Sequence, residues 1–243
     1  MNNRNIFFPT QSTGPVTFTQ ILSNVSTEIS DAVNEYPRLT ASIAQLYYNP
    51  EAANHELIRR TRLRSSALLL RKLEYVSKNL PVKKSVLKIL SLACGIPDEF
   101  LAIKAFMKKH NPNCSVSFTG IDIDKEHNKI NRETFKNFSE FSIIEADGSN
   151  ILSVLNNLAD KLPDDGFDII FLRHPDVNSV RGPVFRAMIQ EIIPQLAASQ
   201  CTVIFSAYYD FELDTIHRIL SANQNSWTMP KKNYLEATSS GKD

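Results

Sequence analysis

Residues 81–243 predict a doubly wound α/β domain with a mainly parallel sheet and helices on both faces, preceded by a helical N-terminal segment over residues 1–80. Three observations predict this class. Five short apolar runs rich in Val, Ile and Phe begin 29, 26, 26 and 35 residues apart. Each gap holds an amphipathic stretch that suits a crossover helix, the pattern of repeated strand-helix-strand units. Glycine is scarce, seven in 243 residues, and four of the seven, Gly95, Gly120, Gly148 and Gly166, fall at or near the predicted strands.

The elements follow in order. In the first 80 residues, Ile21, Val25, Ile29 and Val33 form one stripe at helical spacing, and Leu69, Leu73, Val76 and Leu80 form another. This part predicts about three helices ending near Pro81. It carries a net charge of +3 against −2 for the remainder, with Arg59, Arg60, Arg62 and Arg64 on one helix. Such a cluster is either a patch for phosphate or an acidic substrate, or a solvated helix face, and most such runs are solvated faces. The predicted strands are Val86 to Ala93, Ser115 to Ile123, Phe141 to Glu145, Phe167 to Leu172 and Thr202 to Ser206. A helix-like stretch from Phe211 to Ala222 follows the last.

Composition narrows the class of protein. With 42% hydrophobic and 22% charged residues the chain is globular, and 27 basic against 26 acidic side chains create no global field for nucleic acid or an anionic membrane. No stretch reaches the roughly 18 consecutive apolar residues of a membrane helix. Phe7 and Phe8 are stopped by Pro9, so no secretory h-region is expected. Cys94, Cys114 and Cys201 are too widely spaced for a disulfide framework or a zinc pattern, so a cytoplasmic setting is the expectation, with no metal.

In a doubly wound sheet the ligand lies beyond the carboxyl ends of the strands. After the first strand, Ala93, Cys94 and Gly95 permit a tight turn and a close approach by a ligand. Pro97 opens the next helix, Asp98 and Glu99 complement its positive end, and Lys108, Lys109 and His110 complement the other. A dinucleotide would place its pyrophosphate on that helix terminus and calls for G-x-G-x-x-G; here one glycine and two carboxylates stand there, which disfavours NAD and FAD. S-adenosylmethionine has no phosphate and carries two cationic groups, which carboxylates attract. The second strand ends at Asp122, placed to accept ribose hydroxyl protons, and the third is followed by Asp147, placed to accept from an adenine amino group. Strand-end Asp is equally a common turn or cap residue.

Together these three segments resemble the class I S-adenosylmethionine-dependent methyltransferases, over roughly residues 81 to 220. The resemblance implies that Ala93, Cys94 and Gly95 lie against the methionine part of the cofactor, that Asp122 with Ile123 binds ribose, and that Asp147 with Gly148 contacts adenine. Ser91 stands where the family turn often has an acid, Ala93 and Pro97 where it often has glycines, and Glu99 is the candidate replacement for the acid. The family sheet also ends in a strand hairpin, for which only about twenty residues remain after Ala222.

The fourth strand leads to Arg173, His174, Pro175 and Asp176, which the resemblance puts beside the transferred methyl group. His174, with an ordinary pKa near 6.5, is the candidate base, or else a histidine bonded locally and packed on Pro175. Arg173 either orients an anionic substrate or pairs with Asp176 or Asp210 in the scaffold. Tyr208, after the fifth strand, either walls the substrate pocket or packs. The Asn-Pro-Pro-Tyr pattern of amide and base-amino methyltransferases is absent, as are a Gly-x-Ser-x-Gly elbow and a P-loop.

The expected function is therefore a methyltransferase whose N-terminal helices, with Tyr47 and Tyr48 as lid residues, lie over the cleft. A small-molecule acceptor is favoured over nucleic acid, because no aromatic-plus-basic platform is present. Two other readings fit the same residues. One is transfer of the cofactor's aminocarboxypropyl group, as in nicotianamine-synthase-like relatives of the fold; the other is a non-catalytic binding module.

Overall fold

A computed structural model describes residues 5–7, 30, 33–34, 36–47, 55–77, 80–147, 150, 163, 165–207 and 210–222. In chain order the elements are β1 (Asn5–Phe7), α1 (Pro37–Leu46), α2 (His55–Val76), β2 (Val86–Leu92), α3 (Asp98–His110), β3 (Ser115–Asp122), α4 (Lys125–Thr134), β4 (Phe141–Glu145) and β5 (Phe167–Arg173). Then come α5 (Gly182–Ala187), a π-helical stretch (Met188–Ile192), α6 (Ile193–Leu196), β6 (Ala197–Ser206) and α7 (Asp210–Ser221). The π stretch runs into Pro194, which has no N–H to donate to the turn before it.

All described strand pairs are parallel, in the order β1-β6-β5-β2-β3-β4. The predicted doubly wound class is thus observed. Strand order reverses between β2 and β5, so the topological switch point lies at the end of β2. The predicted strands agree to within a residue or two, except that β6 starts at Ala197 rather than Thr202. Its first residues include exposed Ser199 and Gln200, which supply no apolar run.

The N-terminal segment differs from an all-helical one. Asn5 to Phe7 add a sixth strand at the outer edge, in register with Thr202 to Ile204. Three residues are too few to show a period of two, so the strand is invisible in the sequence. Most of the stripe from Ile21 to Val33, and everything after Ala222 where a hairpin was expected, lies outside the described residues.

The strands are buried on both faces, and the period of two sends alternate residues to opposite cores. Leu87 and Ile89 of β2, with Ile169 and Phe171 of β5, face a core shared with α1, α2 and α3. Leu90, Leu92, Ile170 and Leu172 face the other, built from α5 to α7 and the π stretch. The same alternation directs Ser91, Arg173 and Asp122 to the α3 side, following Ile89, Phe171 and Phe118. Phe100 of α3 centres that core, with the rings of Phe118, Phe135, Phe138 and Phe141 at 5.0–5.4 Å between centroids. At the amino end of the sheet, buried Asp168 accepts from Lys84 Nζ at 2.6 Å and from the Lys88 amide at 2.9 Å, tying β5 to β2.

Candidate functional site

The carboxyl edge of the sheet presents Asp147, Asp122, the Ala93–Gly95 turn and Arg173–His174 in that order, because β4, β3, β2 and β5 are consecutive neighbours. Register fixes this alignment. Leu92 lies opposite both Ile121 and Leu172, and Asp122 lies opposite Glu145. Three strand spacings make the row about 14 Å wide, a span suited to one nucleoside-sized ligand.

The turn after β2 is built from backbone that only a few residues favour. Ala93 and Gly95 both have left-handed φ, 49° and 50°. The glycine adopts this freely, whereas Ala93 carries a Cβ cost. Asp122 holds the turn down: its Oδ2 accepts from the Gly95 amide at 2.7 Å, while its Oδ1 accepts from the Asp124 amide at 2.8 Å. Gly120 lets the turn approach, since a Cβ there would meet Ile143 Cδ1 at 2.6 Å and Cys94 Sγ at 3.0 Å. Cys94 is buried.

Two residues not singled out in the sequence complete the fastening. Asn131 Nδ2 donates to the Gly95 carbonyl at 2.6 Å, and Asn128 Nδ2 donates to the Asp122 carbonyl at 2.9 Å. Both asparagines are fully buried on α4. The available signal was their spacing of three on one face of an otherwise charged helix. Asp124 caps that helix, accepting from the Glu126 and His127 amides at 2.9 and 3.0 Å.

Asp98 and Glu99 do not stand open to a ligand. They are 1% and 0% exposed. Glu99 accepts from Ser91 Oγ and from Arg173 Nη1. Asp98 accepts from Arg62 Nη1 at 3.0 Å, and Arg173 Nη2 lies 4.0 Å from it. Two carboxylates and two guanidinium groups thus form a buried cluster joining α2, α3 and β5. Burial pushes the Asp98 carboxyl up to about 6, against the pull of Arg62 and Arg173. Arg62 therefore turns inward, unlike the solvated face most such runs form, and Arg173 pairs with α3 rather than with the neighbouring acids weighed from sequence. Glu99 is bonded to Ser91, the position where the family turn often has an acid, but is itself fully buried.

His174 has left-handed φ of 49°, and its amide donates to the Ser206 carbonyl at 2.6 Å, bridging the ends of β5 and β6. Burial, with Arg173 and Lys72 nearby, pushes its imidazole down to about 3, far below the ordinary value assumed from sequence. The ring is neutral at pH 7. Tyr47 closes α1 beside the ion cluster; its hydroxyl is buried with no hydrogen-bond partner among the described residues, and burial holds the phenol well above its usual range. Ile123 is 64% exposed beside Asp122, and Asp147 is also exposed. Gly148, Tyr208 and Tyr48 lie outside the described residues.

Among the described residues there is no cluster of His, Cys, Asp and Glu able to hold a metal, and no helix long and apolar enough to cross a membrane. No family model and no curated protein matches the chain. Solved structures do match. A ribosomal-protein methylase from Lactobacillus delbrueckii subsp. bulgaricus is 17% identical, with 68% of each chain covered and a TM-score of 0.42. The N-methyltransferase NodS from Bradyrhizobium japonicum, in complex with S-adenosyl-L-homocysteine, is 18% identical over 78% of this chain and 85% of that one, with a TM-score of 0.41. A putative RNA methyltransferase from Pyrococcus horikoshii is 12% identical over 78% and 82%, with a TM-score of 0.44. At these values the fold assignment rests on the chain's own topology, and the site on its own residues.

Proposed function

We propose that this chain is an S-adenosylmethionine-dependent methyltransferase acting on a small molecule. The observation that carries the reading is the row along one sheet edge, in which Asp122 locks the Gly95 turn from β3 and Asp147 and Ile123 stand exposed beside it. The donor set suits this cofactor. An exposed Asp at the β4 end suits an adenine amino group, and Ile123 offers apolar surface to its ring. Each Asp122 oxygen accepts one amide and keeps a second lone pair for a ribose hydroxyl. The turn after β2 has one glycine, Gly95, short of the G-x-G-x-x-G that a pyrophosphate site calls for.

The cofactor would supply an electrophilic methyl group on a sulfonium. The residues of this chain orient and desolvate. Glu99, behind the turn, keeps Ser91 and Arg173 in place, so it acts as a positioning residue. His174 is the candidate contact for the acceptor. With its imidazole held near 3, the ring accepts a hydrogen bond from an acceptor O–H or N–H and orients it, and the proton lost as the methyl group bonds to the acceptor passes on to water. Alignment supplies most of the acceleration in a direct displacement, which suits a site with few marked catalytic groups.

The test is product analysis. The protein is incubated with S-adenosylmethionine and fractionated small-molecule extracts, and the nucleoside products are resolved by mass spectrometry. Accumulation of S-adenosylhomocysteine, lost in Asp122→Ala, is the expected result. Methylthioadenosine instead would identify aminocarboxypropyl transfer. Absence of both products would favour a binding module.

A further inference from the structure

We propose a second ligand site at the opposite end of the sheet, a half-open cleft that takes a small amphipathic anion. The cleft has a volume of about 560 Å³, within the roughly 300–1,000 Å³ range of small-molecule pockets. Its walls are α1, α3, the start of β3 and the residues before β4. Leu39, Leu101, Met107, Val116 and Phe138 give it an apolar lining. Ser42, Ser115 and Ser139 add hydroxyls.

Charge selects the ligand. Three cations, Arg38, Lys104 and Lys108, meet one acid, Glu140, in this cleft. Lys104 is paired with Glu140 and lies over the Phe138 ring at 4.5 Å, so it belongs to the wall. Arg38 and Lys108 have no ion-pair partner among the described residues. Arg38 also occupies the first turn of α1, which contains no acid and where the helix dipole disfavours a cation. Two uncompensated cations beside an apolar lining fit a carboxylate or phosphate carried on an apolar body. Arg38 and Lys108 are exposed at the mouth of the cleft, where they would attract such an anion, repel a cationic ligand and add nothing to the binding of a purely apolar one.

This cleft is separate from the row of strand ends described above. Ser115 and Asp122 stand at opposite ends of β3, about 23 Å apart at the usual rise per residue, so one small ligand does not span both. The two sites share α3: its first turn holds the buried acids, and Lys104 and Lys108 on its later turns line the cleft. Cys114, half-exposed in the lining, is a built-in reporter, whereas Cys94 and Cys201 are buried.

The experiment titrates the full chain calorimetrically with octanoate and octyl phosphate, with octylamine as the cationic control. In parallel, the rate of Cys114 alkylation by iodoacetamide is followed by mass spectrometry. The expected result is saturable binding of at least one anion, none of octylamine, slowed alkylation of Cys114, and at least tenfold weaker binding in the Arg38→Glu, Lys108→Glu double variant. Arg38→Lys should keep the binding. Titration with S-adenosylmethionine is run on the same variants and reads only the other site. Failure of both anions to bind up to millimolar would overturn the proposal. So would equal binding by a folded double variant, or an unchanged alkylation rate at saturation.

Discussion

His174 combines a left-handed backbone with a half-buried ring beside two cations, and its titration carries a stability signature. Because burial, Arg173 and Lys72 lower the folded value to about 3, the folded state resists a proton that the unfolded chain takes up near 6.5. The contribution of His174 is thus fully present above 6.5 and is lost as pH falls toward 3. Asp98 has the opposite sign: burial raises its folded value from 3.8 to about 6, so its contribution is full below 3.8 and is lost as pH rises through 6. The two slopes oppose each other between pH 4 and 6. Replacing His174 by Gln removes one of them. Urea unfolding at pH 7, 6, 5 and 4 should show wild type losing stability relative to the variant by up to about 1.4 kcal/mol per pH unit below 6.5. A constant difference across that range would mean that His174 does not titrate as described.

At the scale of elements, the ion cluster fixes α2 and α3 to the end of β5. Arg62 reaches Asp98 across 36 positions of sequence and Arg173 reaches Glu99 across 74, separations no local pattern encodes. Removing Arg62 leaves a carboxylate that is 1% exposed with only Arg173, at 4.0 Å, as its remaining cation. Breaking a fully buried pair costs about 3–5 kcal/mol; here the cost is smaller, because Asp98, already raised to about 6, takes up a proton at neutral pH once Arg62 is gone, and making both partners neutral costs less still. Chemical denaturation should therefore find Arg62→Ala destabilised and Arg62→Ala with Asp98→Asn largely recovered. A single variant within about 1 kcal/mol of wild type would show that the pair is not a fastening. The aromatic cluster around Phe100 fastens α3 to the sheet from within, by packing rather than charge.

At the scale of the whole molecule, the sheet was legible because parallel strands buried on both faces read as continuous apolar runs. β4 coincides with its predicted span, whereas β6 begins five residues before its apolar run. β1 was not legible, because three residues carry no period. The strand-end acids were legible as positions: Asp122 and Asp147 lie where the topology places ligands. Their local partners were less so. That Asp122 receives the Gly95 amide, and that buried Asn131 braces the same turn, depends on α4 packing behind it. The sense of Asp98 and Glu99 changed most. Read as charges facing a ligand, they are sealed inside, each matched by an arginine contributed from another element.

The central claim, that the β2, β3 and β4 ends form an S-adenosylmethionine site, is tested most directly by calorimetric titration with S-adenosylmethionine and S-adenosylhomocysteine, with NAD as control, on wild type and Asp122→Ala. The account predicts micromolar binding of the first two, none of NAD, and a loss of at least tenfold, about 1.4 kcal/mol, in a folded Asp122→Ala. No binding of either ligand up to millimolar, or undiminished binding in Asp122→Ala, would contradict it.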